Sequence, residues 1–191
     1  MINASQSTLA DCNNPANDTP DNRTLILVRP NLDDIPKPMF PQGFNVRGYR
    51  KGDERTWTRI WRDAEPFDTI KDSTFRDSLG HDEATLSERV SFVVDENAGE
   101  TIGTVTAWTE PTPSESHAGL EGWGRVHWIA VVPEYQGRGV GKALFSYCLQ
   151  ALKAFGHRET FLVTSAGRTG AVALYKKYDF VEESGGHSTL R

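Results

Sequence analysis

A chain of 191 residues with 37% hydrophobic side chains can build one domain around a single core and is too short for two large ones. Its 21 Lys and Arg against 26 Asp and Glu leave a net charge of −5, the wrong sign for affinity built on neutralising phosphates, so nucleic acid is not an expected partner. No stretch reaches the roughly 18 apolar residues of a membrane helix, the first ten residues lack the pattern of a secretory signal, and Cys12 and Cys148 form neither a disulfide framework nor metal-ligand spacing; a reduced, cytoplasmic protein with no membrane partner is expected.

Residues 1–23 are rich in Asn, Asp, Ser, Thr and Pro with almost no large apolar side chain, which predicts a disordered tail. The β-branched run 24–28 predicts a strand, and Pro30, Pro36, Pro38 and Pro41 punctuate a connector, so residues 24–43 are expected to precede a main domain over 44–191. Phe44 and Val46 alternate with Asn45 and Arg47, as in a half-buried strand over 44–50. Asp53 is a suitable N-cap, and Trp57, Ile60, Trp61 and Ala64 recur at helical spacing until Pro66 stops them. A second short helix is expected over 73–79. The runs 89–95 and 101–109 predict a hairpin closed by Asn97 and Gly99, and residues 110–124 form a polar connection long enough to be a functional flap.

The stretch 126–132 reads as a buried strand ended by Pro133. It leads into Gln136-Gly137-Arg138-Gly139-Val140-Gly141-Lys142 and then a helix with Val140, Leu144, Cys148, Ala151, Leu152 and Phe155 on one face, capped by Gly156. A strand over 160–164 and a helix over 169–178, with Ala171, Leu174, Tyr175 and Tyr178 inward, complete a mixed α/β domain with one sheet covered by helices. Glycines at 137, 139 and 141 between a strand and a helix direct backbone amides at an anion. A Walker loop would need Gly at 136 and a hydroxyl at 143, where the chain has Gln136 and Ala143. A dinucleotide fingerprint would need Gly at 142, which is Lys142.

What remains, Gln-x-x-Gly-x-Gly after Ile129-Ala130-Val131-Val132-Pro133-Glu134-Tyr135, resembles the coenzyme A loop of the GNAT superfamily of N-acetyltransferases. Residues 171–180, Ala-Val-Ala-Leu-Tyr-Lys-Lys-Tyr-Asp-Phe, are similar to that family's late helix, and the order of elements agrees from Phe44 to about Glu183. The resemblance implies a mostly antiparallel α/β sheet with helices on both faces and a splayed central strand pair. It implies acetyl-CoA as co-substrate, with Ile129, Ala130 and Val131 along the pantetheine arm and the amides of Gly137, Arg138, Gly139, Val140, Gly141 and Lys142 at the pyrophosphate. Arg168 stands where the family often has an asparagine that touches the coenzyme.

Acetyl transfer to an amine needs a neutral amine, a polarised carbonyl and a proton for the departing thiolate, but no protein nucleophile. Cys148, on an apolar helix face, reads as a small buried hydrophobe. Direct attack in a ternary complex is therefore expected, with a backbone amide near Val131 polarising the carbonyl. By resemblance, Tyr175 is the general acid. Relatives acting on protein N-termini place a glutamate where this chain has Val163, which leaves His127 as the candidate base. Asp179 replaces the usual glycine before Phe180 and must accept or avoid a left-handed conformation. The acceptor, a small-molecule or peptide amine, is expected near Trp57, Trp61, Phe67, Phe75 and the 110–124 flap. His81, His117, His157 and His187 lack ligand spacing, so no metal is expected, and His81-Asp82-Glu83 reads as a solvated loop. A homodimer is left open, and the competing reading is a coenzyme A binding module without turnover.

Overall fold

The computed structural model of the chain describes residues 22–109 and 119–183. In chain order the elements are β1 (Thr24–Arg29), β2 (Phe44–Gly48), α1 (Glu54–Ala64), α2 (Thr74–Leu79), α3 (Glu83–Arg89), β3 (Val90–Asp95), β4 (Glu100–Thr109), β5 (Gly124–Val131), α4 (Val140–Ala154), β6 (Thr160–Ser165), α5 (Thr169–Lys176) and β7 (Val181–Glu182), with one 3-10 turn at Pro133–Tyr135. Seven strands form one sheet in the order β2-β3-β4-β5-β6-β1-β7. Every neighbouring pair is antiparallel except β5 and β6. The tail before Asn22, Cys12, the 110–118 part of the expected flap with His117, and His187 lie outside the described residues.

Successive side chains of a strand point to opposite faces, and both faces of this sheet are covered. On β3, Ser91 faces α4 and its hydroxyl donates to Tyr147 (3.5 Å). The next residue, Phe92, lies under the guanidinium of Arg47, which is bound to Asp53 at the head of α1. Leu144, Phe145, Cys148, Leu149 and Leu152 of α4 are fully buried. Each large apolar side chain removed from water in this way stabilises the fold by roughly 1.5–3 kcal/mol before entropy is counted.

Several expectations change in detail. Asp53 does stand at the start of α1, but its carboxylate does not cap the helix: it accepts two bonds from Arg47 (2.6 and 2.9 Å) and one from the Arg50 N–H (2.7 Å). Residues 81–83 are not a plain solvated loop, because Asp82 caps α3 by accepting from the Thr85 N–H (2.9 Å). The N-terminal strand is inserted between β6 and β7 of the main sheet. Arg29, 4% exposed, holds that insertion: its guanidinium donates to the carbonyls of Asn31, Asp33 and Tyr178 at 2.8, 2.6 and 3.0 Å. Asp179 accepts the left-handed conformation, at φ 60°.

Two irregularities open the sheet at its centre. The parallel pair β5 and β6 is registered only at Gly124 opposite Thr160 and Arg125 opposite Phe161, after which the strands diverge. Beyond Arg125 no described strand joins that edge of β5. On the other edge, Thr104 stands opposite Ala130 and Thr106 opposite His127, so Trp128 and Ile129 together face Val105. This bulge places Trp128 at φ 49°, a conformation large side chains rarely adopt.

Candidate functional site

The opening between β5 and β6 holds two cavities that meet at Trp61, Ile129, Arg168 and Tyr175, residues that border both. The first, a groove of about 680 Å³, runs from the β5 edge at Ile129, Ala130 and Val131 to Gly137, Gly139, Gly141 and Lys142, with Ala171 and Leu174 of α5 as its far wall. Those two side chains are half-buried because they face the groove. Gly137 and Gly139 have φ of 73° and 85°, which an L side chain adopts only with strain. Gly141 is already helical, and a side chain there would meet the methyl of Val131 at 3.9 Å. Gln136 ties the turn to the strand, its Nε2 donating to the Val131 carbonyl (2.9 Å).

Amides at the head of α4 carry the positive end of the helix dipole, and Lys142 adds a full charge beside them. Two other residues of this turn point their side chains away from the groove. The Arg138 side chain does not border the groove; its guanidinium lies over the rings of Tyr135 (4.7 Å) and Phe44 (5.3 Å). Val140 packs fully buried in the core.

The second cavity, about 360 Å³, is the polar one. His127 and Arg125 project from one face of β5, Val163 and Ser165 border it from β6, and Glu65 and Asp68 border it from the connection between α1 and α2. Burial draws the Arg125 guanidinium down to about 10. The His127 ring lies 5.4 Å from that of Trp128, which packs edge-to-face against Trp57 and Trp61 at 5.0 and 4.8 Å. Of the expected aromatics, Trp61 borders the cavity, whereas Trp57 and Phe75 belong to the core. Phe67 lies under the guanidinium of Arg168 (5.4 Å).

Arg168 stands at the head of α5 and its guanidinium binds the carboxylate of Glu65. The other oxygen of Glu65 accepts from the N–H groups of Phe67 (2.8 Å) and Asp68 (3.3 Å). No motif announces Glu65, Asp68 or Arg125, which come from separated parts of the chain. Tyr175 is 6% exposed and packs on Phe145, with ring centroids 4.9 Å apart. Burial pushes its hydroxyl up to about 12, against the opposing pull of Arg168. Burial likewise pushes the Cys148 thiol well above its ordinary value, which suits an inert core residue. Among the described residues no group of three or more His, Cys, Asp or Glu is arranged to hold a metal ion, and no helix is long and apolar enough to cross a membrane.

Residues 50–180 match the acetyltransferase (GNAT) family. A mycothiol acetyltransferase of Streptomyces griseus is 32% identical over 149 residues, 77% of this chain and 46% of that protein; one of Cellulomonas flavigena is 31% identical over 150 residues, 75% of this chain and 42% of that protein. The chain thus spans less than half the length of these curated relatives. Among solved structures, a GCN5-related N-acetyltransferase from Sphaerobacter thermophilus superposes with a TM-score of 0.64 at 24% identity, covering 84% of this chain and 48% of that one. The ribosomal-protein-S18-alanine N-acetyltransferase of Escherichia coli superposes at 0.58 and 20% identity, covering 74% of this chain and 79% of that one; both share its fold. With more than half of its length matched, and with the opened sheet and glycine turn in place, the chain belongs to the GNAT acetyltransferase family.

Proposed function

We propose that this chain is an acetyl-CoA-dependent N-acetyltransferase that moves the acetyl group to a primary amine by direct attack in a ternary complex. The observation that carries the proposal is the meeting of two chemically different cavities at Tyr175. One is a long groove with a strand edge that no described strand joins at one end and a glycine turn with Lys142 at the other, dimensions and chemistry that suit a pantetheine arm ending in a diphosphate. The other is a small polar cavity suited to an amine. Its size and the name of the curated relatives favour a small-molecule acceptor.

In this reading Ile129, Ala130 and Val131 take the arm, and the amides from Gly137 to Lys142 hold the diphosphate. Arg138 contributes its backbone there, since its side chain is engaged with Tyr135 and Phe44. An amide near Val131 polarises the thioester carbonyl. The amine nitrogen attacks the carbonyl carbon, loses a proton to His127, and the C–S bond breaks with the pair on sulfur, which takes the proton of Tyr175. Tyr175 is protonated at neutral pH, as a proton donor requires, and burial raises its hydroxyl further above that range. The charge of Arg168 is shared with Glu65, so its contribution belongs to the seam of the two cavities as much as to the coenzyme.

Calorimetry with acetyl-CoA, followed by thiol release against a panel of amines, tests the reading. Micromolar binding and release with at least one amine are expected. An absence of heat from the folded chain would defeat it, and binding without release for every amine would favour a coenzyme A binding module, the reading that Val163 in place of a carboxylate recommends.

A further inference from the structure

Arg168, just before the first turn of α5, and Tyr175, near its end, are seven residues apart, about two helical turns, and both border the two cavities where these join. The guanidinium is not a loose surface charge. It binds Glu65 and lies over Phe67, and Glu65 is itself fixed by the N–H groups of Phe67 and Asp68. The connection after α1 therefore anchors a positive charge at the join of the two cavities, which Tyr175 also borders. Other charged or titratable groups face the same space: Lys142 from the head of α4, His127 and Arg125 from β5, and Glu65 and Asp68 from the α1–α2 connection. Burial disfavours the ionised form of Tyr175, the charge of Arg168 favours it, and the buried Cys148 acts with burial.

Resting on the transferase reading above, we propose that Arg168 is a positioning residue for proton donation, its anchored guanidinium stabilising the phenolate that Tyr175 becomes. As the C–S bond breaks, sulfur leaves with the bonding pair and takes the phenol proton. Tyr175 keeps the O–H pair as a phenolate beside the guanidinium and regains a proton from solvent after the thiol departs. A cation already anchored at the cavity where the anion develops needs no reorganisation at that moment, which is what makes a preorganised charge effective.

The test places 3,5-difluorotyrosine at position 175 of the full chain and follows its ionisation by fluorine NMR, which needs no knowledge of the acceptor. Arg168→Gln is expected to raise the ionisation midpoint by about 0.5 unit or more, within the range an opposite charge at close approach produces, and Arg168→Lys to recover at least half of the change. Arg168→Met serves as the neutral variant if the glutamine form does not fold. A purely structural Arg168 would lower the melting temperature and leave the midpoint in place, and a midpoint that moves by less than this threshold overturns the proposal. Acetyl-CoA calorimetry on the unsubstituted chain separates the two claims. No binding there defeats the transferase reading, whereas intact binding with an unmoved midpoint defeats only the role of Arg168.

Discussion

From β2 to β5, strands adjacent in the sheet also follow one another along the chain, whereas β6, β1 and β7 bring its two ends together: Thr24 stands opposite Ser165 and Leu27 opposite Glu182. The first arm pairs each strand with its predecessor across connections of at most about 40 residues and leads directly into the glycine turn, so most of the groove's polar end comes from one contiguous stretch. The second arm must close loops of well over a hundred residues before any contact repays the entropy. The polar cavity lies between the arms and borrows residues from both. Coenzyme binding should therefore survive damage to the second arm, while the acceptor side should not.

The largest effect is expected at the seam. Tyr175→Phe should lower thiol release by roughly 100-fold or more while acetyl-CoA affinity, measured by calorimetry, stays within about threefold. A collapse of affinity instead would assign Tyr175 to the groove and blur the distinction between the two cavities. Next comes Arg29→Ala, which strands three carbonyl partners around the second arm and should cost about 2–4 kcal/mol in urea unfolding. Hydrogen exchange should then quicken in β1 and β7 before β3 and β4, and uniform quickening would break the comparison.

Gly139→Val tests the first arm. A β-branched residue at φ 85° costs about 1–3 kcal/mol of strain, so acetyl-CoA should bind roughly 10-fold more weakly with little change in the second arm. The first arm also carries an acid-sensitive tie. Burial opposes the charge of Asp53, but Arg47 and the Arg50 N–H outweigh it and hold the carboxyl below the usual carboxylate range. A value depressed in the folded state lends stability that is full above the ordinary carboxylate value and is lost as pH falls through the depressed one. Asp53→Asn should flatten that part of the stability–pH curve. The smallest effect belongs to Asp179→Gly, which relieves a left-handed aspartate and should stabilise the chain by up to about 1 kcal/mol, less whatever the 4.0 Å contact with Arg29 contributes.

The elements legible in the amino-acid sequence share a local cause. The stripe of α1 ending before Pro66, the hairpin at Asn97 and Gly99, and the glycine turn each depend on neighbours within about ten residues. Where a local signal pointed the wrong way, a side chain on another element had intervened. Asp53 has the chemistry of a cap, yet Arg47 on β2 claims it. Arg138 sits in a phosphate motif, yet Phe44 and Tyr135 take its side chain. Trp128 disfavours a left-handed backbone, yet the indoles of α1 receive it there.

Chain order and residue type alone were thus sufficient for the mixed α/β architecture and for the groove at the head of α4, since a strand, a turn of glycines and a helix in succession form one unit wherever they are placed. Only the tertiary structure decided the small polar cavity, the bulge at Trp128 and the pairing of Arg168 with Glu65. Those depend on where two diverging strands and a remote helix end come to rest, and packing across long loops is not encoded in any one stretch of sequence.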